Sequence, residues 1–381
     1  MITILGETLS YLRFNCIWPN KKDELNPPKS FYIKFILMLT STSIILIGSG
    51  AHLTVSIQNN SNNITEDLVI IIAEIGVFYF IATFVSEQKD IAKIYLDLSD
   101  FDKYEKPHHF EKRNKQLLFL SRMYKTFIDI AIFNFCVYPF CTKHLCVKEN
   151  ETRSFKEVCG LLVTTWMPFD IEVFPIKQIL YLWQCYTIVF TMKGAALISF
   201  AIMESMEHLV IRIQHFKVML ADAVDTQDEI VRMKRFSCCI EYHINIFDLG
   251  RRIDKYYTGC LFLHVLLSGA LFGCIGYRFM QESLPLNALC IFMGWVLSLY
   301  IVCISGQHLI DEATSVAEAA YNSKWYDRDV QFQKNIIFII TRSQTPIVVH
   351  AGPFSYVSHI IILTIFKTAY SYLTLLNTAS M

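Results

Sequence analysis

The sequence predicts an all-α integral membrane protein with seven transmembrane helices, a cytoplasmic N-terminus and an extracellular C-terminus. Three observations carry this. Hydrophobic residues make up 53% of the 381 positions against 18% charged, and mean hydropathy is +0.37. The apolar residues gather in seven long blocks, each close to the roughly 20 residues that a helix needs to cross a bilayer. Lysine and arginine fall unequally on alternate connections between those blocks.

Residues 1–32 read as a cytosolic N-terminus. They lack the basic start and sustained apolar core of a signal peptide, so targeting falls to the first membrane helix. The blocks run Ile33 to Ile57, Leu68 to Phe84, Met123 to Phe140, Ile179 to Ile202, Tyr257 to Ile275, Leu286 to Ser305 and Ile347 to Leu376. The third is the least apolar, because Lys125 and Asp129 interrupt it. Residues 33–305 therefore hold helices one to six.

Residues 306–346 are patterned rather than random. Leu309, Ala313, Val316, Ala317, Ala320 and Tyr321 recur at helical spacing opposite Asp311, Glu312 and Glu318, and Val330 to Ile340 is apolar again. This predicts a pair of cytosolic anchor helices leading from helix six back to helix seven. The connection Met203 to Tyr256 also mixes apolar runs with charge, so the two segments are expected to pack into one cytosolic subdomain. Residues 347–381 then form the seventh helix and a short extracellular C-terminus.

Orientation follows from charge. With the N-terminus inside, the inner segments hold 24 of the 34 lysines and arginines and the outer segments six. Glycosylation sequons begin at Asn59, Asn63 and Asn150, all in connections that this topology places outside. The arrangement opposes that of G-protein-coupled receptors, whose N-terminus is extracellular. The seventh block also lacks an Asn-Pro-x-x-Tyr pattern, and nothing like Asp-Arg-Tyr follows the third. A G-protein-coupled-type chemoreceptor remains the competing class, and a transporter a third, although no internal repeat is evident.

No catalytic constellation is present, so the chain does not read as an enzyme, and no cofactor is implied. His108 and His109 sit in a basic loop, while Glu207, His208 and His215 lack the spacing of a helical zinc site. Formal net charge is zero, which gives no reason to expect nucleic acid. Cys141, Cys146 and Cys159 lie in or beside the second extracellular connection, where one disulfide could form. Ionisable residues inside the blocks are Glu74, Asp129, Lys193 and Lys367; mutual pairing within a bundle is the simplest expectation for the first three.

The seventh block carries a polar stripe. Thr364, Lys367, Ser371, Thr374 and Thr378 follow at spacings of three, four, three and four, which sets them on one helical face. Back-bonding or helix–helix glue accounts for such residues in many membrane helices. A water-filled path along that face accounts for them too.

The stretch Val316-Ala317-Glu318-Ala319-Ala320-Tyr321-Asn322-Ser323-Lys324-Trp325-Tyr326, then Phe332-Gln333-Lys334, Arg342-Ser343-Gln344-Thr345-Pro346, Ala351-Gly352 and Lys367-Thr368-Ala369-Tyr370-Ser371-Tyr372-Leu373-Thr374-Leu375-Leu376, resembles the C-terminal signature of insect odorant receptors. The resemblance implies an odorant-binding subunit of a heterotetrameric, ligand-gated, non-selective cation channel, formed with shared co-receptor subunits. Such a protein is multi-pass in the plasma membrane of sensory dendrites, surrounded by lipid, and passes cations when a small volatile hydrophobic ligand binds. The resemblance is closer to a tuning subunit than to the co-receptor, which is longer and carries a large insertion between helices four and five that this chain lacks. Gustatory-receptor-like channels are more distant, since their terminal Thr-Tyr and Gln-Phe pairs correspond to Ser371-Tyr372 and Thr378-Ala379 here.

The same resemblance implies site residues. A pore and gate fall on Ser371, Thr374, Leu375, Thr378 and Ala379, with Lys367 turned from the path or paired with an acid. Subunit contacts fall on Tyr321, Trp325, Phe332, Gln344 and Pro346. An odorant pocket in the outer half of helices two, three, four and six would include Phe78, Asn134, Tyr138, Tyr181, Tyr186, Phe292 and Trp295.

Overall fold

The protein is described by a computed structural model over residues 2–59, 64–151, 157–281, 286–353 and 355–379, the side chains of 149, 286, 287 and 379 excepted. Within those residues it is all helical: α1 (Gly6–Phe14), α2 (Lys29–Gln58), α3 (Ile64–Ser86), α4 (Gln88–Ser99), α5 (Phe110–Asn150), α6 (Ile176–Asp225), α7 (Glu229–Gln281), α8 (Leu286–Tyr321), α9 (Val330–Ser343) and α10 (His359–Ala379). Seven of them, α2, α3, α5, α6, α7, α8 and α10, are long and apolar enough to cross a membrane.

Several helices are longer than the bilayer is thick, and three of them carry long extensions on one side. α6, α7 and α8 contain 50, 53 and 36 residues, about 75, 80 and 54 Å at helical rise, against a hydrocarbon core of roughly 30 Å. The apolar parts lie in the N-terminal half of α6, the C-terminal half of α7 and the N-terminal half of α8, so all three extensions project to the same side. The segment Met203 to Tyr256 is consequently no loop but two helical extensions joined at 226–228. Asp228 Oδ1 accepts from the Val231 amide at 2.9 Å and so starts α7.

There α9 returns against α7 and α8. Phe332 is buried with its ring 4.3 Å from that of Phe236, and Asp329 caps α9 by accepting from the Gln331 and Phe332 amides. Lys217 reaches Glu312 at 2.5 Å, and Arg328 donates to the Val224 carbonyl at 2.7 Å. Of the other residues expected in subunit contacts, Tyr321 and Gln344 are exposed in the isolated chain and Trp325 and Pro346 half-buried.

Two short helices were not legible beforehand. α1 docks through Leu9 and Leu12, and Arg122 of α5 donates to both Glu7 oxygens at 2.7 and 2.8 Å. Those hydrogen bonds hold the Glu7 carboxyl below its ordinary range. α4 buries Ile91, Ile94, Tyr95 and Leu98, and the buried Arg212 guanidinium donates to the last carbonyls of that helix, Asp97 at 2.8 Å and Leu98 at 3.0 Å.

The seventh block is shorter than the hydropathy suggested. The described residues between Ile347 and Ser358 are not helical, and α10 begins only at His359. Gly352 holds φ +80°, a left-handed conformation followed by Pro353, which has no amide proton to continue a helix. Asp254 of α7 takes the His350 amide at 2.7 Å, and Ala351 and Val357 pair with Ser355 and Val349 across the bend. Ile347, Val349, Ala351 and Val357 are buried against protein. Their hydrophobicity reflects packing rather than lipid, a distinction that hydropathy alone does not make.

The intramembrane charges divide. Asp129 lies 2.7 Å from Lys125 and 2.6 Å from Lys193, which joins α5 to α6. Removing the acid leaves two cations in an apolar setting. Asp129→Leu is therefore expected to lower the amount of folded protein recovered from membranes several-fold, with partial recovery in Asp129→Leu/Lys193→Leu; equal recovery of Asp129→Leu and wild type would refute this. Glu74 behaves otherwise, since its buried Oε2 has no hydrogen-bond partner.

Cys146 and Cys159 form a disulfide, closing the end of α5 onto the following segment, while Cys141 is free and exposed. Asn150 sits inside that closure and donates to the Glu157 carbonyl at 2.7 Å. Asn59 follows α2 and donates to the Val55 carbonyl at 2.8 Å; Asn63 lies outside the described residues.

Candidate ligand cavity and candidate pore face

Six membrane helices and one connection line an apolar cavity of about 110 Å³. α3 contributes Ile70, Ala73, Glu74 and Val77; α5 contributes Ile128, Ala131, Ile132 and Phe135; α6 contributes Ile188, Thr191, Met192, Ala195 and Ala196. His264 enters from α7, and Cys290, Ile291, Gly294, Trp295 and Ser298 from α8. Thr42 of α2 and Val163 complete the wall. These positions are apolar because they face other helices, and the gap persists because small residues, Ala73, Ala131, Ala195 and Gly294, sit where larger ones would fill it.

Most polar groups in this wall are already engaged. Thr42 donates to the Met38 carbonyl at 3.0 Å and Thr191 to the Thr187 carbonyl at 3.1 Å, each within its own helix. Ser298 and Ser199 share a hydrogen bond of 2.5 Å, and Trp295 Nε1 donates to Ser268 Oγ at 2.8 Å. The His264 ring stacks on Phe80, at 5.2 Å between centroids, and on Trp295, at 4.6 Å. With its faces so occupied, the imidazole presents its polar atoms only at the edge. Glu74 Oε2 and His264 Nε2 are buried without partners.

Of the residues expected at an odorant pocket, Trp295 lines this cavity. Phe78, Asn134, Tyr138, Tyr181, Tyr186 and Phe292 are not among its lining residues. Tyr181 instead donates to the Cys136 carbonyl at 2.6 Å, Tyr186 is largely exposed, and Phe292 meets the Phe272 ring edge-on at 5.1 Å. The expectation favoured large aromatic rings, whereas the cavity is bounded mainly by aliphatic and small side chains. A carboxylate inside a membrane block is a sequence signal that does point there, and Glu74 carried it. His264, within the fifth block, carries a similar signal.

α10 packs on one side only. Ile361, Ile365 and Ala369 are buried, while Thr364, Lys367, Ser371, Thr374, Leu375 and Thr378 are exposed. The hydroxyls of the stripe bond back to their own helix: Thr364 to Ile360, Ser371 to Lys367, Thr374 to Ser371 and Thr378 to Thr374, at 2.8 to 3.2 Å. Each hydroxyl thus keeps free acceptor capacity on a face that nothing in this chain covers. Thr364, Lys367, Thr368, Ser371, Tyr372 and Leu375 line a shallow groove along it. Ala379 closes the helix, with its side chain outside the described residues.

Comparison with known proteins matches this architecture to one family. The family model described as "7tm Odorant receptor" aligns with residues 60–370. Odorant receptor 67c of Drosophila melanogaster is 24% identical over 93% of this chain and 90% of its own length. Odorant receptor 22c of the same species is 27% identical, in a match that spans 43% of this chain and only 42% of the relative. Among solved structures, the insect olfactory receptor OR5 from Machilis hrabei in complex with eugenol superimposes with a TM-score of 0.80 at 14% identity, covering 98% of this chain and 97% of that one. The fold is that of the solved receptor, the family match covers well over half of the sequence, and the chain belongs to the 7tm Odorant receptor family.

Proposed function

We propose that this chain is the odorant-binding subunit of a heterotetrameric, ligand-gated, non-selective cation channel that it forms with co-receptor subunits. The observation that carries the reading is α10, a membrane helix packed on one side with a continuous polar stripe left uncovered on the other. Such a face is unfavourable against lipid and favourable around water, and a ring of subunits supplies the water-filled axis. The enclosed apolar cavity between α3, α5, α6, α7 and α8 supplies the ligand site, and the small volatile held by the solved relative is of matching character.

The helical extensions beyond the membrane, with α9, form the anchor that holds subunits together. Charge distribution and the Cys146–Cys159 disulfide support a topology in which that anchor and residues 1–32 are cytosolic and residues 141–175 are extracellular. Ser371, Thr374, Leu375 and Thr378 line the pore. The plasma membrane of sensory dendrites is where such a channel acts.

Odorant-evoked current in cells that express this chain with the co-receptor, and none in cells that express it alone, is the expected result. A response that persists without the co-receptor and requires G-protein signalling would overturn the proposal. An N-terminal tag should be inaccessible to antibody in intact cells and a C-terminal tag accessible, whereas the receptor class of opposite topology gives the reverse.

A further inference from the structure

The cavity wall is mostly apolar, and two of its buried polar atoms have no partner in the protein. Glu74 Oε2 on α3 and His264 Nε2 on α7 are buried, line the same cavity and lack partners, while Thr42, Thr191, Trp295 and Ser298 around them are satisfied by the protein. Two unsatisfied polar groups in one apolar cavity are unfavourable in the empty site. A ligand that meets them removes that penalty when it binds.

We propose that this cavity selects ring-sized volatiles carrying a single hydroxyl, which Glu74 and His264 receive. The inference rests on reading the cavity as the odorant site. Size sets the first limit: about 110 Å³ is somewhat smaller than the roughly 150 Å³ cavity that holds benzene in a dry protein interior, so one ring or its acyclic equivalent fits. Chemistry sets the second. A hydroxyl both donates and accepts, so it matches the carboxyl in either protonation state and the imidazole in either tautomer.

An ammonium head is the competing choice for a carboxylate. It would have to shed its hydration in a wall that offers a single acid and is otherwise aliphatic, and desolvating two ions offsets much of their attraction. Lys125 and Lys193, the cations of the neighbouring helices, are tied to Asp129 and leave Glu74 to the ligand. A ketone or ether accepts only, and satisfies fewer states of the pair.

The test uses the purified assembly with its co-receptor and three probes of one shape, cyclohexanol, methylcyclohexane and cyclohexylamine, read by ligand-induced thermal stabilisation. Cyclohexanol should bind wild type about tenfold more tightly than methylcyclohexane, one net hydrogen bond's worth. Glu74→Leu should abolish that preference while retaining methylcyclohexane, and Glu74→Gln, which still donates and accepts, should retain most of it. Equal binding of alcohol and hydrocarbon to wild type, or preference for the amine, overturns the hydroxyl proposal and leaves the cavity as the odorant site. If no probe binds wild type and filling the cavity by Ala195→Trp leaves odorant responses unchanged, the odorant-site reading fails and the hydroxyl proposal with it. Should Glu74→Leu not fold, the wild-type probe series and His264→Phe decide the question.

Discussion

Replacing Gly273 with leucine should abolish odorant-evoked current, and replacing it with alanine should already weaken it. α10 meets α7 across Gly269 and Gly273, four residues apart on one face, which is the spacing that lets membrane helices approach backbone to backbone. A Cβ built on Gly273 would stand 2.5 Å from the Tyr372 Cβ and 3.1 Å from the Ala369 carbonyl oxygen. Those neighbours are main chain or directly attached to it, so no rotamer change relieves the clash. α10 must move as a unit, and overpacking of this kind costs about 1–3 kcal/mol even where some relaxation is possible.

Displacing α10 moves the exposed stripe, and with it every position proposed to line the pore. Gly259→Leu, on the same helix with open space at its Cβ, is the control expected to conduct like wild type. Surface labelling separates a channel that fails to reach the membrane from one that arrives and does not open. Wild-type current from Gly273→Leu would show that α10 does not depend on this contact.

The seven membrane helices were legible because a 20-residue apolar block has few other uses. Helix continuity through 203–256 was not, because the extensions of α6 and α7 are amphipathic and their apolar residues face protein on a side that alternates with charge. Phe236 and Phe216 look alike in sequence to residues of a loop that folds back; only their contact with Phe332 and His243 shows two straight helices held by a third. The bend at 347–358 misled in the opposite sense, being apolar through burial under α7.

The candidate ligand cavity divides the same way. Glu74 stood out because charge in a membrane helix is rare. Ala73, Ala131, Ala195 and Gly294 did not, since a void is made by what neighbouring helices omit, and omission across four chains of residues leaves no local pattern. Aromatic residues are conspicuous in sequence and were expected to form the wall. In the fold Phe80 and Trp295 serve to clamp His264, and Tyr181 to tie α6 to the Cys136 carbonyl.

Leu375→Asn should raise the current that flows without odorant. Leu375 is 64% exposed in the isolated chain and stands on the otherwise polar face of α10, next to Thr374 and four residues beyond Ser371. An apolar residue in that position is unfavourable against water and favourable against a copy of itself, so in a ring of subunits it stabilises the arrangement in which the outer ends of the pore helices lie together. Hydrophobic constrictions of this kind block ions by excluding water.

Burying a leucine contributes roughly 1.5–3 kcal/mol. If about half of that distinguishes closed from open, its loss shifts the equilibrium by about 0.8–1.5 kcal/mol, or roughly four- to twelvefold in the open-to-closed ratio. In the proposed assembly, co-receptor subunits would share the constriction and reduce the effect in proportion to their number. Leu375→Asn and Leu375→Met separate polarity from size: the methionine variant should gate like wild type, while the asparagine variant leaks. Recordings in which both variants show wild-type basal current, at equal surface density, would place the constriction elsewhere on the helix.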